Sequence, residues 1–120
     1  MYMLKFSETL KKNHEFRQAY NRGKNAGTRH LVLYARRNRY GRNRVGITVS
    51  NKLGNAVVRN RVRRRLREIY RLNEDKLGPS WDIVIVARVS AVDAEYRALE
   101  SAFIESCRKL GVLKGKTTEK

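Results

Sequence analysis

The sequence is poor in cysteine and in long apolar runs. Its single cysteine, Cys107, can neither close an intramolecular disulfide nor build a zinc site, which is typical of proteins from a reducing compartment. No stretch approaches the roughly 18 apolar residues of a membrane span, and the N-terminal residues lack the apolar segment of a signal peptide. We therefore expect a cytoplasmic protein that does not act in a membrane.

Acidic side chains are also scarce: 11 Asp and Glu face 28 Lys and Arg, for a net charge of +17. The imbalance is local, because residues 1–72 hold 20 basic and 3 acidic side chains whereas residues 73–120 hold 8 of each. A charge that served only solubility would be spread along the chain. The asymmetry predicts that the first part binds a polyanion, and nucleic acid is favoured over an anionic membrane surface.

No catalytic constellation can be recognised. His14 and His30 belong to no motif, no nucleophile and base can be paired, and the three carboxylates of the basic part lie far apart in sequence. A two-metal nuclease needs clustered carboxylates to hold its cations. We therefore predict no catalytic residue and no cofactor in the protein, and a buried, unreactive role for Cys107. No residue is assigned to a metal site, and the sequence leaves open whether the protein itself binds metal ions.

The pattern of apolar residues predicts one domain over residues 1–120, ordered at about 8–112, with a disordered basic tail at 113–120. The predicted elements are a helix from N-cap Asn13 to Arg22, strands at 30–37 and 44–50, a helix after N-cap Asn55, a strand from Trp81, and a helix from N-cap Asp93 to Gly111. The two early strands should form an antiparallel hairpin, and the strand from Trp81 should be central because both its faces are apolar.

The resulting order is αββαβα. It predicts an α/β fold, an α+β sandwich in which a mixed sheet of three to four strands packs with three helices. General chain-handedness rules favour a right-handed crossover between the second and third strands.

The arginine-rich helix is the strongest functional signal, with seven arginines and one glutamate in residues 56–71. At 3.6 residues per turn, Val58, Val62, Leu66 and Ile69 share one stripe and Asn60, Arg64, Arg67 and Arg71 the opposite one. Like charges one turn apart repel each other, so a purely structural helix gains nothing from this arrangement. Guanidinium groups suit phosphate oxygens, which favours an RNA-binding or DNA-binding face over a merely solvated one.

Three aromatic residues form a second candidate site, because Phe16, Tyr20 and Tyr34 lie near basic Lys12 and Arg17. Aromatic rings in a basic groove stack single-stranded bases at about 1–3 kcal/mol each. Packing in the core is the usual fate of such residues, and the residues alone leave the two alternatives evenly balanced.

Residues 52–71, KLGNAVVRNRVRRRLREIYR, resemble the RNR motif of bacterial ribonuclease P proteins. The resemblance extends to LKKNHEFRQAYNRGK at 10–24, and to the segments HLVLYARRN, RVGITVSNK and WDIVIVAR. It implies a left-handed βαβ crossover, contrary to the general rule. Arg65 departs from the family pattern, in which an apolar or uncharged residue is common, and its role stays open.

The resemblance also implies partners and roles. The catalytic RNA subunit would be bound by Lys52, Asn55, Arg59, Asn60, Arg61, Arg63, Arg64, Arg67 and Arg71. The 5′ leader of precursor tRNA would be bound by Lys12, Phe16, Arg17, Tyr20, Val32 and Tyr34. The RNA would perform the Mg²⁺-dependent hydrolysis, so the protein would need no cofactor, membrane or protein partner. The competing hypotheses are a structural RNA-binding protein of ribosomal type and a basic-helix DNA-binding protein, although residues 72–81 lack the dimerising heptad of the latter.

Overall fold

Five strands form one mixed β-sheet in the structure, a computed structural model that describes residues 7–114. The elements in chain order are β1 (Ser7–Thr9), α1 (Asn13–Arg22), β2 (Lys24–Gly27), β3 (Leu31–Arg37), β4 (Asn43–Thr48), α2 (Ala56–Asn73), β5 (Trp81–Ala87) and α3 (Tyr96–Leu110). The predicted class, a mixed sheet with three helices, is confirmed. The strand count was too low, because β1 and β2 have only three and four residues and carry few apolar side chains.

The strands lie in the order β1-β4-β5-β3-β2. The predicted hairpin between β3 and β4 is therefore wrong: β5 lies between them, antiparallel to β3 and parallel to β4. Alternation of apolar residues shows which face a strand buries but not which strand it pairs with. The central position predicted for β5 is confirmed, and the left-handedness of the parallel β4–α2–β5 crossover stays a prediction.

One face of the sheet carries the main core. Alternate residues of β3 and β5, including Leu31, Leu33, Ile83 and Ile85, pack against α2 and α3. The predicted apolar stripe of α2 is confirmed at Val62, Leu66 and Ile69, which are fully or almost fully buried, whereas Val58 is half-buried. In α3, Leu99, Phe103 and Cys107 are fully buried. On the opposite face, the short helix α1 covers a much smaller cluster.

The helix ends differ in detail from their predicted positions. Asn55 caps α2 as predicted, its Oδ1 accepting a 3.0 Å hydrogen bond from the Val58 N–H. Helix α1 is capped by Lys12 rather than Asn13, because the Glu15 carboxylate accepts hydrogen bonds from the N–H groups of both Lys12 and Lys11 and draws that turn into place.

The last helix begins after Glu95 and not after Asp93. Residues 89–92 form a short 3₁₀ turn, and the Ala94 carbonyl accepts a 2.6 Å hydrogen bond from Arg65 Nη2, which holds this segment outside the helix. Gly111 ends α3 as predicted, in the left-handed conformation that favours glycine.

Two residues of the predicted disordered tail are hydrogen-bonded in the structure. Leu113 forms a β-bridge with Leu77, and the Lys114 N–H donates to the Lys76 carbonyl. The tail prediction was thus wrong for 113 and 114, and residues 115–120, like residues 1–6, lie outside the described part of the chain. No helix within residues 7–114 has the length and apolar character needed to cross a membrane.

Candidate RNA interface

The outer surface of α2 carries mostly basic and polar side chains, interrupted by the exposed apolar residues Val57 and Leu72. Asn60, Arg61, Arg64 and Arg67 are exposed, whereas Arg59, Arg63 and Arg71 are half-buried along the flanks. The predicted separation of an apolar stripe from a basic face is confirmed. We call the residues predicted to bind the RNA subunit, from Lys52 to Arg71, the arginine face.

The arginines of this face differ in their partners. Arg63 Nη1 donates to Asn60 Oδ1 at 2.8 Å, Arg59 Nε donates to the Gly54 carbonyl at 3.2 Å, and Arg71 forms an ion pair with Glu68 at 3.3 Å. Within residues 7–114, Arg61, Arg64 and Arg67 make no hydrogen bond or ion pair. These three guanidinium groups are available to a partner without breaking an internal contact.

Lys52, Asn55 and Arg65 lie at the margins of the arginine face. Lys52 is exposed on the short 3₁₀ turn Asn51–Leu53 that precedes α2. Asn55 has a structural function as the N-cap, which its predicted place in the interface does not exclude. Arg65 points to the other flank and binds the Ala94 carbonyl, so its contact in the structure is with the segment before α3.

The aromatic residues lie between α1 and the sheet. The Phe16 ring rests on Gly46 of β4 so closely that a Cβ at position 46 would lie 2.4 Å from Phe16 Cε1. The Tyr20 ring packs edge-on against Tyr34, with centroids 5.0 Å apart, and its hydroxyl shares a 2.9 Å hydrogen bond with Thr48 Oγ1. We call this region the α1 cleft.

The aromatic residues of the α1 cleft are only partly buried. Phe16 and Tyr34 are half-buried beside Leu10 and Val84, whereas Tyr20 is 36% exposed. Of the other residues predicted here, Lys12 and Arg17 are exposed on α1, and Val32 is half-buried on the same face of β3 as Tyr34. The rings therefore contribute to packing and still offer surface to a ligand.

An ion network that was absent from the predicted site lies at one end of the α1 cleft. Arg44 of β4 forms a bidentate pair with Asp82 of β5, at 2.9 and 2.8 Å, and donates to Glu15 of α1 at 2.7 Å. These carboxylates raise the pKa of the Arg44 guanidinium, against the effect of burial. Burial would raise the pKa of Glu15, but hydrogen bonds from the Lys12 and Lys11 N–H groups and the charge of Arg44 outweigh it, so that this pKa is lowered.

The arginine face and the α1 cleft adjoin each other. Arg67 of α2 lines one groove together with Lys11, Lys12 and Arg44. A smaller hollow beside it is lined by Phe16 and Gly46 on one side and by Arg63, Arg67 and Tyr70 on the other. The two candidate sites, which lie 18 positions apart in the sequence between Tyr34 and Lys52, thus form one continuous surface.

The carboxylates near this surface are engaged by arginines. Glu8 lies 3.7 Å from Arg42, Glu15 and Asp82 both bind Arg44, and Glu68 binds Arg71. Within residues 7–114, no three His, Cys, Asp or Glu side chains are grouped so that they could hold a metal ion. This donor set suits the binding of phosphate groups better than the binding of a cation.

Comparison with known proteins identifies relatives along almost the whole chain. The family model described as Ribonuclease P matches residues 4–111. The ribonuclease P protein component of Clostridium botulinum is 47% identical over 104 residues, which cover 86% of this chain and 94% of the relative. The solved structure of the Staphylococcus aureus RNase P protein superposes with a TM-score of 0.79 at 30% identity, covering 88% of this chain and 97% of that one. The RNase P protein from Thermotoga maritima gives a TM-score of 0.74 at 26% identity, covering 82% and 93%.

Proposed function

The chain belongs to the ribonuclease P protein family, and from this premise we propose that it binds the catalytic RNA subunit through the arginine face and the 5′ leader of precursor tRNA through the α1 cleft. Ribonuclease P is a ribonucleoprotein endoribonuclease whose RNA subunit is catalytic. The protein's contribution is then to bind and orient RNA for removal of the leader.

The observation that carries the proposal is the continuity of the two surfaces at Arg67. A leader held on Phe16, Tyr20 and Tyr34 can run past Lys12 and Arg67 towards an RNA bound on α2 without crossing an uncharged gap. Phosphate contacts fix the register of an RNA, and base contacts add selectivity. The arrangement supports the binding of two RNA segments side by side.

Each surface has the chemistry for its proposed ligand. The guanidinium groups of Arg61, Arg64 and Arg67 have no partner within residues 7–114, and such groups bind phosphate oxygens of a folded RNA through paired N–H donors. The half-exposed rings of the α1 cleft suit unpaired bases, which stack on aromatic faces whatever their sequence. Since only precursor tRNA carries a leader, stacking there would favour substrate over product.

The chemistry of hydrolysis is assigned to the RNA. The carboxylates beside the cleft are occupied by Arg44 and Arg42, and the described residues form no metal-binding group. In this proposal the Mg²⁺ ions of the reaction are held by RNA groups, and the protein acts by holding the leader in place.

Of the competing functions, a structural RNA-binding protein of ribosomal type would use the same arginine face. It would not need the aromatic α1 cleft, and the relatives along 86% to 92% of the chain are ribonuclease P protein components. A DNA-binding role has no support beyond the basic helix itself.

The proposal predicts distinct effects for two arginines. Arg64→Ala should weaken binding to the catalytic RNA, whereas Arg67→Ala should weaken both this binding and the binding of precursor tRNA by the holoenzyme. Each lost phosphate contact should lower the slope of log K against log salt by about 1. Affinities titrated at several salt concentrations give both quantities.

Arg97→Ala on α3 is the matched control, because it also removes one exposed arginine from a helix surface. For Arg97→Ala, the slope of log K against log salt should equal that of the unmodified protein. A slope reduced as much by Arg97→Ala as by Arg64→Ala would show that binding follows total charge, and the arginine face would lose its assigned role.

A further inference from the structure

The loop between β3 and β4 carries charge that the proposed function does not use. Residues 36–44 contain five arginines, and no carboxylate. Arg44 and Arg36 face Asp82, and Arg42 faces Glu8. Arg39 is exposed and makes no ion pair or hydrogen bond within residues 7–114, and the Arg37 guanidinium lies 4.9 Å from the centroid of the Trp81 ring.

Asn38 holds this loop in a defined conformation. Its N–H donates to the Ser80 carbonyl at 2.8 Å, and its side-chain Nδ2 donates to the Arg42 carbonyl at 3.1 Å and to Asp82 Oδ1 at 2.8 Å. Its Oδ1 accepts a 2.9 Å hydrogen bond from the Tyr40 N–H. Four hydrogen bonds fix the turn before any ligand binds. Binding at Tyr40 therefore costs little additional conformational entropy of the loop.

Tyr40 is the most exposed aromatic residue of the described chain, at 65%. The Arg44 guanidinium lies 4.4 Å from its ring centroid, and Arg44 is itself fixed by Asp82 and Glu15. One face of the ring is thus backed by an immobile cation, and the high exposure leaves the other face open. Single exposed aromatic residues are common on protein surfaces, but a ring fixed in this way among arginines is suited to stack an unpaired base.

The position of Tyr40 continues the α1 cleft. Phe16 rests on Gly46 and Tyr40 on Arg44, and these two positions of β4 are separated by about 7 Å at ~3.3 Å per residue. That spacing corresponds to about two stacked nucleotides at ~3.4 Å each. Glu15 links the Phe16 position to the Tyr40–Arg44 position. Its carboxylate binds Arg44, and Phe16 is the next residue after Glu15 in α1.

We propose that Tyr40 is a further stacking site for single-stranded RNA, which extends the α1 cleft across Arg44 onto the β3–β4 loop, with Arg39 contacting the adjacent phosphate. The ligand is the precursor leader, so the inference rests on the proposed function and lengthens its binding site. The loop then contributes to the affinity for substrate over product, in addition to Phe16 and Tyr20.

The test uses the holoenzyme, reconstituted from the full chain and its catalytic RNA. Precursor tRNAs are compared whose leaders grow from about one to about ten nucleotides, a range about five times the roughly two nucleotides spanned by the two stacking positions. Affinity should rise with leader length, with one increase when the leader becomes long enough to reach Tyr40. Tyr40→Ala should abolish this increase, a loss of affinity on the order of tenfold for long leaders. Tyr40→Phe keeps the ring and should keep the increase. Mature tRNA should bind all three proteins equally, and melting temperatures should agree because the ring is mostly exposed.

Two results would overturn the inference. If Tyr40→Ala leaves the dependence of affinity on leader length unchanged, Tyr40 is not part of the leader site. If Phe16→Ala lowers the affinity for the same precursor tRNAs, the α1 cleft keeps its role. An equal loss of affinity for mature tRNA, or for the catalytic RNA alone, would assign the loop to a different RNA contact. If neither Phe16→Ala nor Tyr40→Ala changes the dependence of affinity on leader length, the proposed leader site fails together with its extension.

Discussion

The two faces of the β-sheet are covered in different ways. Among residues 7–114, the face towards α2 and α3 buries a continuous cluster of 20 residues, many of them fully inaccessible, whereas the cluster on the face towards α1 consists of Leu10, Ala19 and Val84. Helix α1 has 10 residues and α2 has 18. The first face therefore supplies most of the stability, and the second leaves aromatic rings partly uncovered.

This difference separates the requirements of folding from those of binding. A completed hydrophobic core offers no surface to a ligand, and an open aromatic cleft forgoes part of the free energy that burial would give, at about 25 cal/mol per Å² of apolar surface. Substitutions on the α2 and α3 side should therefore change the free energy of unfolding. Substitutions on the α1 side should change stability less and RNA affinity more.

The largest effect is expected for Phe103→Ala, in the centre of the main core. Phe103 is 0% exposed and packs edge-on against Tyr70 with centroids 6.0 Å apart. Its removal should lower the free energy of unfolding by about 3–5 kcal/mol. Urea titration should show this loss, and all RNA affinities should fall by the same factor, because only the folded fraction changes.

An intermediate effect is expected for Gly46→Ala, which places a methyl group in the space that the Phe16 ring occupies. The new methyl group would lie 2.4 and 2.5 Å from two atoms of that ring, so the ring must move away. We expect a loss of about 1–3 kcal/mol in stability, as for other overpacked sites, and weaker binding of leader-bearing tRNA. Urea titration measures the loss of stability, and the affinity of the holoenzyme for precursor tRNA measures the loss of leader binding.

Gly27→Ala is the control for this substitution, because Gly27 is also a strand glycine but its Cβ would meet only the end of the Arg88 side chain, at 3.0 Å. It should leave leader binding unchanged. Equal effects of the two substitutions would mean that the loss comes from strand glycines in general and not from displacement of Phe16.

The smallest effect is expected for Glu15→Gln, at the start of α1. Its pKa lies below the ordinary value of 4.5, so the ionised side chain stabilises the folded protein above the unfolded pKa, and this contribution disappears as the pH falls through the folded pKa. Near neutral pH the substitution should cost about 1 kcal/mol, as the loss of a helix cap does. Melting temperatures measured against pH should converge for the two proteins in acid. A difference that persists unchanged in acid would show that the charge of Glu15 is not the source of the stabilisation.

Local features of the fold were predictable from the sequence, whereas the pairing of strands was not. The period-3.6 pattern correctly gave the buried face of α2, because it depends on residues a few positions apart. The pairing of β5 with both β3 and β4 depends on contacts across more than 35 residues. No local pattern contains that information, so the predicted hairpin failed.

The candidate site shows the same division. The arginine face follows from the sequence of α2 alone, and its separation from the apolar stripe is confirmed. The Glu15–Arg44–Asp82 network and the contact of Arg65 with Ala94 each join residues from different elements. The closeness of Arg67 to Lys12 likewise depends on distant segments, because both residues line a groove together with β1, which pairs with β4.

The central claim, that the α1 side binds the leader while the α2 and α3 side stabilises the fold, is tested most directly with Phe16→Ala. The measurement compares affinities of the holoenzyme for precursor and mature tRNA, together with the melting temperature of the protein. The account predicts a loss of about 1–3 kcal/mol for precursor tRNA only, and a smaller fall in melting temperature than for Phe103→Ala. An equal loss for both tRNAs, with a melting temperature as low as that of Phe103→Ala, would contradict it.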